Sequence, residues 1–188
     1  MDFILVILAI AATVVVFVAF RRALHAYLKY RGERIVSCPE THKPAAVRVA
    51  AGKAAMDSAL GYEQLRLSEC SRWPEKEACG QECLAQIEEA PKACLVWTIA
   101  NRWYQGESCV FCHKPFGDIH WHDHPPALVD SEGKTILWNE IPADKLQQVL
   151  STHRPVCWNC HIAESFRHDH PELVVDRPAS PLRMTLLK

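Results

Sequence analysis

The sequence predicts an α+β protein, in which a single N-terminal transmembrane helix is followed by a small cysteine-rich, metal-stabilised region. Three observations carry that expectation. Residues 3–20 form an unbroken apolar run without charge or proline. Nine cysteines stand among the 188 residues, four of them in two CxxCH pentapeptides, Cys109–His113 and Cys157–His161. Around these pentapeptides, short alternating stretches and short helical periodicities take turns. The formal net charge of −1 excludes a globally basic nucleic-acid binder.

The apolar run is 18 residues long. At about 1.5 Å of rise per residue it just crosses a hydrocarbon core of about 30 Å. A core helix would carry polar positions every third or fourth residue, whereas Thr13 is the one polar residue here. A cleaved signal peptide would need a basic n-region and a small-x-small cleavage site. Asp2 precedes the run and Phe-Arg-Arg ends it, so an uncleaved anchor is expected. Arg21, Arg22, Lys29, Arg31 and Arg34 all follow the span, opposed only by Glu33. The positive-inside rule then puts the N-terminus outside and the C-terminal region in the cytoplasm, at the inner membrane. The opposite, periplasm-facing orientation is the alternative.

Residues 21–30 continue the anchor helix into the interface, with Tyr27 and Tyr30 placed for the headgroup belt and Gly32 as terminator. Residues 34–50 read as two short strands around a Cys-Pro turn, 52–61 as a short helix bounded by glycines, and 64–70 as a strand. Residues 74–90 read as a helix that sets Cys79, Cys83 and Ile87 on one face. Pro91 opens and Gly106 closes a second helix with Leu95, Ile99 and Trp103 as its apolar stripe. Residues 126–138 form a hairpin turning at Ser131-Glu-Gly-Lys134. Pro142 starts a helix carrying Leu146, Val149 and Leu150, and the second pentapeptide falls at a strand-to-helix junction. Residues from Pro178 form a tail. The expected division is an anchor over 1–31, a cysteine-rich α+β domain over 32–106, a metal-binding domain over 107–177 and the tail over 178–188. No internal repeat is evident beyond the two pentapeptides.

Cys109, Cys112, Cys157 and Cys160 have the form CxxC-x44-CxxC. In a reducing cytoplasm, paired spacings of this kind read as metal ligands before disulfides. Four thiolates about 2.3 Å from one ion make a tetrahedral zinc site, and each CxxC supplies two from one turn. An iron–sulfur cluster is the other occupant such a set admits. Knuckle, hairpin and helix, with the second pair at the start of the last helix, resemble the treble-clef zinc fold over residues 107–170. The extra helix at 142–151 departs from that pattern.

Cys38, Cys70, Cys79 and Cys83 are the candidate second set, from the i, i+4 pair and two turn-placed partners, with Cys94 as an alternative to Cys38. The two CxxCH motifs also resemble those of anchored multihaem c-type cytochromes. That resemblance implies two covalent haems with His113 and His161 as proximal ligands. His120, His122, His124, His153, His168 or His170 would then be distal ligands. Orientation favours metal over haem, because such cytochromes carry their basic residues before the span. Finally, the knuckle, the stretch Ile119–Pro126 and the last CxxCH resemble HNH endonucleases. That would imply His124 as general base, Asp123 and His161 on a catalytic divalent metal, and Asn139 as a loose candidate for the middle asparagine. Pro125-Pro126 breaks the expected strand, and no basic stretch tracks a phosphate backbone.

No phosphate-binding glycine loop or nucleophile elbow is present, and Glu40, Glu75 and Glu82 read as solvated charges. The expected function is a membrane-anchored zinc or iron–sulfur protein, an interaction or electron-transfer accessory rather than an enzyme. Its expected partners are the membrane and other membrane or electron-transfer proteins, with no nucleic acid.

Overall fold

The computed structural model describes residues 2–62, 64–73, 75 and 79–174. The tail expected from Pro178 lies outside the described residues. The chain divides into two compact units, Met1–Trp103 with Pro142–Val149, and Tyr104–Ile141 with Leu150–Lys188. The segment after Pro142, expected within the C-terminal domain, groups with the first unit.

The first unit begins with α1 (Asp2–Tyr30), one continuous helix. Its stretch Phe3–Tyr30 is long and apolar enough to cross a membrane, and none of its most apolar window is buried against protein. Such exposure is costly in water and favourable in lipid. Toward its end the helix turns one side inward. Ala26 and Tyr30 are buried in the core of the first unit, so Tyr30 is not the headgroup-belt residue the sequence implied, while Tyr27 stays exposed. Gly32 stops the helix at φ 97°, and a Cβ there would stand 3.2 Å from Leu95 Cδ2. Both the left-handed backbone and the close approach call for glycine.

Arg34, counted in the sequence as a flanking membrane charge, has no exposed surface. Its Nη1 donates to the carbonyls of Tyr30 (2.6 Å) and Gly32 (2.9 Å), its Nη2 to Lys29 (2.7 Å) and its Nε to Pro91 (3.3 Å). The guanidinium thereby satisfies carbonyls that the end of α1 leaves open, where the helix dipole favours a cation. Burial lowers its pKa, partly offset by the neighbouring Cys94.

Strands β1 (Glu33–Ser37), β2 (Pro44–Val49) and β3 (Leu67–Cys70) form an antiparallel sheet in that order. Glu33 pairs with Arg48 and Ser37 with Pro44, and a bulge at Arg48/Val49 precedes the pairing of Val49 with Leu67. Helix α2 (Ala51–Ala59) packs against α1. Val36, Ala45, Val47, Val49, Leu67 and Ile87 complete the core with the helical residues. Each fully buried aliphatic side chain there contributes about 1.5–3 kcal/mol.

The helix expected over 74–90 is corrected. Among the described residues of that stretch only Leu84–Glu89 is helical (α3), with Cys83 as its N-cap residue, and Cys79 stands outside it. Gln81 interrupts the pattern at φ 57° and its side-chain Oε1 accepts from the Leu67 N–H at 2.9 Å. That tertiary bond offsets the strain of a left-handed non-glycine residue. The next helix, α4 (Val96–Tyr104), starts five residues later than Pro91 suggested, because residues 94–95 first pair with the edge of β1. Its buried positions are Ala100 and Tyr104, while Leu95, Ile99 and Trp103 are half-buried.

In the second unit, β4 (Ala127–Val129) lies between β5 (Thr135–Leu137) and β6 (Arg154–Val156), all antiparallel. The β4–β5 turn is closed by Asp130, whose Oδ1 accepts from the N–H groups of Glu132 and Lys134, both at 2.9 Å. Gly133 at φ 87° supplies the reversal. The Tyr104 hydroxyl donates to the Ala127 carbonyl at 2.8 Å, and its ring meets Phe116 at 5.0 Å and Trp121 at 6.0 Å. Helix α5 (Leu146–Thr152) continues a 3-10 turn begun after Pro142, and α6 (Trp158–Asp169) follows β6 directly.

Candidate metal centre

Two short segments bring Cys109, Cys112, Cys157 and Cys160 together, and each is fixed by its own backbone. The first is a knuckle over residues 108–115. Ser108 and Pro115 pair across its base, the Cys109 N–H donates to the Lys114 carbonyl at 2.9 Å, and the His113 N–H returns to the Cys109 carbonyl at 2.8 Å. His113 takes φ 57° to close it. The Val110 N–H then donates to the Pro155 carbonyl at 3.0 Å, which ties the knuckle to β6. The second segment is the start of α6. Cys157 is extended at the N-cap, the His161 N–H makes the first helical bond to its carbonyl at 2.9 Å, and Cys160 comes round in the first turn.

The four sulfurs all lie within 4.8 Å of one another. Cys112 Sγ and Cys157 Sγ are 3.7 Å apart. Four thiolates at about 2.3 Å from one ion form a tetrahedron with an edge of about 3.8 Å. The spacing is therefore that of a single tetrahedral ion. An iron–sulfur cluster would interpose irons and sulfides and hold the cysteine sulfurs further apart. Among the described residues this is the one cysteine, histidine or carboxylate group drawn so tightly together.

The local electrostatics are consistent with thiolate ligands gathered for a cation. Burial pushes the Cys109 thiol up, yet N–H groups of Cys112, Cys157 and Phe111 aimed at its sulfur outweigh burial and bring it to about 7. The Cys157 N–H contact is 3.4 Å. Burial, then the neighbouring thiols, push Cys160 well above the ordinary range, and burial raises Cys157 as well. Four mutually repelling thiols release their protons together only when a metal takes the place of those protons.

The histidines after each pair have other work. The His161 Nδ1 bonds the Thr135 hydroxyl at 2.9 Å and the Ser165 hydroxyl at 3.4 Å, and burial lowers its pKa. His113 closes the knuckle through its backbone. The two cysteine pairs converge on one point rather than standing apart as two separate pairs. Asp123, His124 and His161, implied by the nuclease resemblance, do not form such a tightly gathered group among the described residues. The Trp158 ring centroid stands 6.0 Å from that of His124 and 5.9 Å from that of His161. His120 and His124 border a shallow surface hollow with Asp118 and Asn159.

Of the earlier cysteines, Cys38, Cys70, Cys79 and Cys83 line one cavity in the first unit. Burial, then the nearby Cys70, Cys79 and Cys38, raise Cys83 to about 11. Cys94 is elsewhere, its thiol on the Ala90 carbonyl at 3.3 Å and beside Arg34. Two features escape the sequence reading. One is Arg34 as an internal cap, which Gly32 two residues earlier could have signalled. The other is a second knuckle, described below. Comparison with family models, with curated proteins and with solved structures found no match.

Proposed function

We infer that the chain is a membrane-anchored metalloprotein whose second unit is a treble-clef-like module, folded around one structural zinc on Cys109, Cys112, Cys157 and Cys160. The observation that carries this is the gathering of four sulfurs, from two separately fixed backbone turns, to within 4.8 Å. All four positions of a tetrahedral ion are filled by protein, as in structural rather than catalytic zinc sites. The zinc fixes the knuckle against the helix start and so shapes a surface. The role is that of an interaction module held at a membrane, with a membrane or electron-transfer protein as partner.

The anchor is α1. Arg21, Arg22, Lys29 and Arg31 follow the span, which supports an outside N-terminus and a cytoplasmic C-terminal region. A reporter active only outside the membrane, fused after Lys188, should be silent, and an active fusion reverses the orientation. For the metal, the purified full chain should be colourless and contain zinc. A red protein with covalently retained haem would overturn the reading.

A further inference from the structure

The loop between β1 and β2 repeats the knuckle of the metal centre. Ser37-Cys38-Pro-Glu-Thr41-His42-Lys43-Pro44 and Ser108-Cys109-Val-Phe-Cys112-His113-Lys114-Pro115 share Ser, Cys, His, Lys and Pro at the same places. The backbone follows suit. Ser37 pairs with Pro44 as Ser108 pairs with Pro115. The Cys38 N–H donates to the Lys43 carbonyl at 2.9 Å and the His42 N–H to the Cys38 carbonyl at 2.8 Å, matching 2.9 and 2.8 Å in the other knuckle. His42 has φ 55° and His113 φ 57°. N–H groups two and three residues on point at the cysteine sulfur in both loops, from Glu40 and Thr41 here and from Phe111 and Cys112 there. The expectation of no repeat beyond the pentapeptides is thereby corrected.

Of the three positions that differ, one bears on ligation. Thr41 stands where Cys112 supplies a ligand, and its hydroxyl is held by the Arg72 guanidinium. A knuckle with one cysteine needs three more thiolates, and the first unit offers them. Cys70 ends β3, and Cys79 and Cys83 flank the Gly80-Gln81 turn before α3. All four line one cavity of about 50 Å³, in which Trp73 supplies apolar wall and Arg72 a cation. One water-sized sphere needs only about 10–15 Å³, so the cavity has room for an ion.

We propose that Cys38, Cys70, Cys79 and Cys83 form a second metal site, which binds one zinc ion through four thiolates in the first unit. The set is looser than the C-terminal one, for its sulfurs do not gather within 4.8 Å of one another. Its turn-borne ligands close on the ion as it binds. A zinc with four thiolates carries a net charge of −2, and Arg72 on the cavity wall offsets part of it. Cys94, on the Ala90 carbonyl, takes no part.

The test is metal stoichiometry on the full chain in detergent, read as zinc per chain and as cobalt equivalents that produce thiolate-to-cobalt absorption. Wild type should hold two ions, Cys38→Ser and Cys112→Ser one each, their double variant none, and Cys94→Ser still two. The cobalt titration of wild type needs no variant to fold, and a plateau at one equivalent overturns one of the two sites, which the variants then identify. If that single ion is lost in Cys112→Ser and kept in Cys38→Ser, the C-terminal centre stands and only the second site falls. If it is lost in Cys38→Ser and kept in Cys112→Ser, the C-terminal reading falls instead. Loss of an ion in Cys94→Ser but not in Cys38→Ser would overturn the proposed ligand set.

Discussion

The knuckle at Cys38 and the knuckle at Cys109 have the same backbone but meet different second halves. At Cys109 the partner is the first turn of α6, where Cys157 and Cys160 are held by helical geometry and by the Val110–Pro155 hydrogen bond. At Cys38 the partners come from a strand end and from a turn around Gln81. The sulfurs of the first arrangement already stand at tetrahedral spacing, and those of the second do not. The knuckle presents a cysteine whose thiolate is favoured by N–H groups, but the rigidity of the second pair decides how far a site is assembled before metal arrives. A preassembled site loses less ordering entropy on binding.

Breaking the preassembled side should give the largest effect. Structural zinc contributes on the order of 10 kcal/mol to folding in small zinc domains, comparable with a domain's whole stability. Cys157→Ser should therefore release the ion and unfold the second unit, seen as rapid proteolysis within residues 104–141 and 150–174. A protease-resistant second unit in that variant would show that the fold does not depend on the ion.

The comparison is sharpened by stepwise chelation of wild type. The looser set should lose its metal first, so a graded chelator should remove one cobalt band before the other. Simultaneous loss would mean that the two sites are equally preorganised. On the stability of the first unit, Arg34→Met should cost about 3–5 kcal/mol, since it leaves several carbonyls at the end of α1 without a donor. Denaturant unfolding followed by near-UV circular dichroism reads this, and the C-terminal ion should remain bound. The smallest change is Tyr104→Phe, which removes the hydroxyl that donates to the Ala127 carbonyl. It should lower the stability of the second unit by about 1 kcal/mol, with metal content unchanged.

What the sequence disclosed follows from how local each signal is. The apolar helix, the hairpin closed by Asp130 and Gly133, and the strand-to-helix junction at Cys157 are each fixed by a few adjacent residues. The CxxC pairs were legible for the same reason, because a CxxC turn carries both ligands within four residues. The helix expected over 74–90 failed at Gln81, whose left-handed backbone depends on a hydrogen bond to Leu67, fourteen residues away. Tyr30 reads locally as a headgroup-belt residue and Arg34 as a flanking charge, since nothing local says that the end of α1 folds back into a core. The second knuckle was hidden by one substitution, as Thr41 removes the second cysteine that a search for CxxC requires.

The central claim is that Cys109, Cys112, Cys157 and Cys160 surround one tetrahedral ion. X-ray absorption at the zinc edge, on the full-length wild-type protein, tests it most directly. The account predicts one shell of four sulfurs at about 2.3 Å and no nitrogen or oxygen ligand. A mixed shell with histidine nitrogen, or a protein that carries no zinc and retains haem on its CxxCH cysteines, would contradict it.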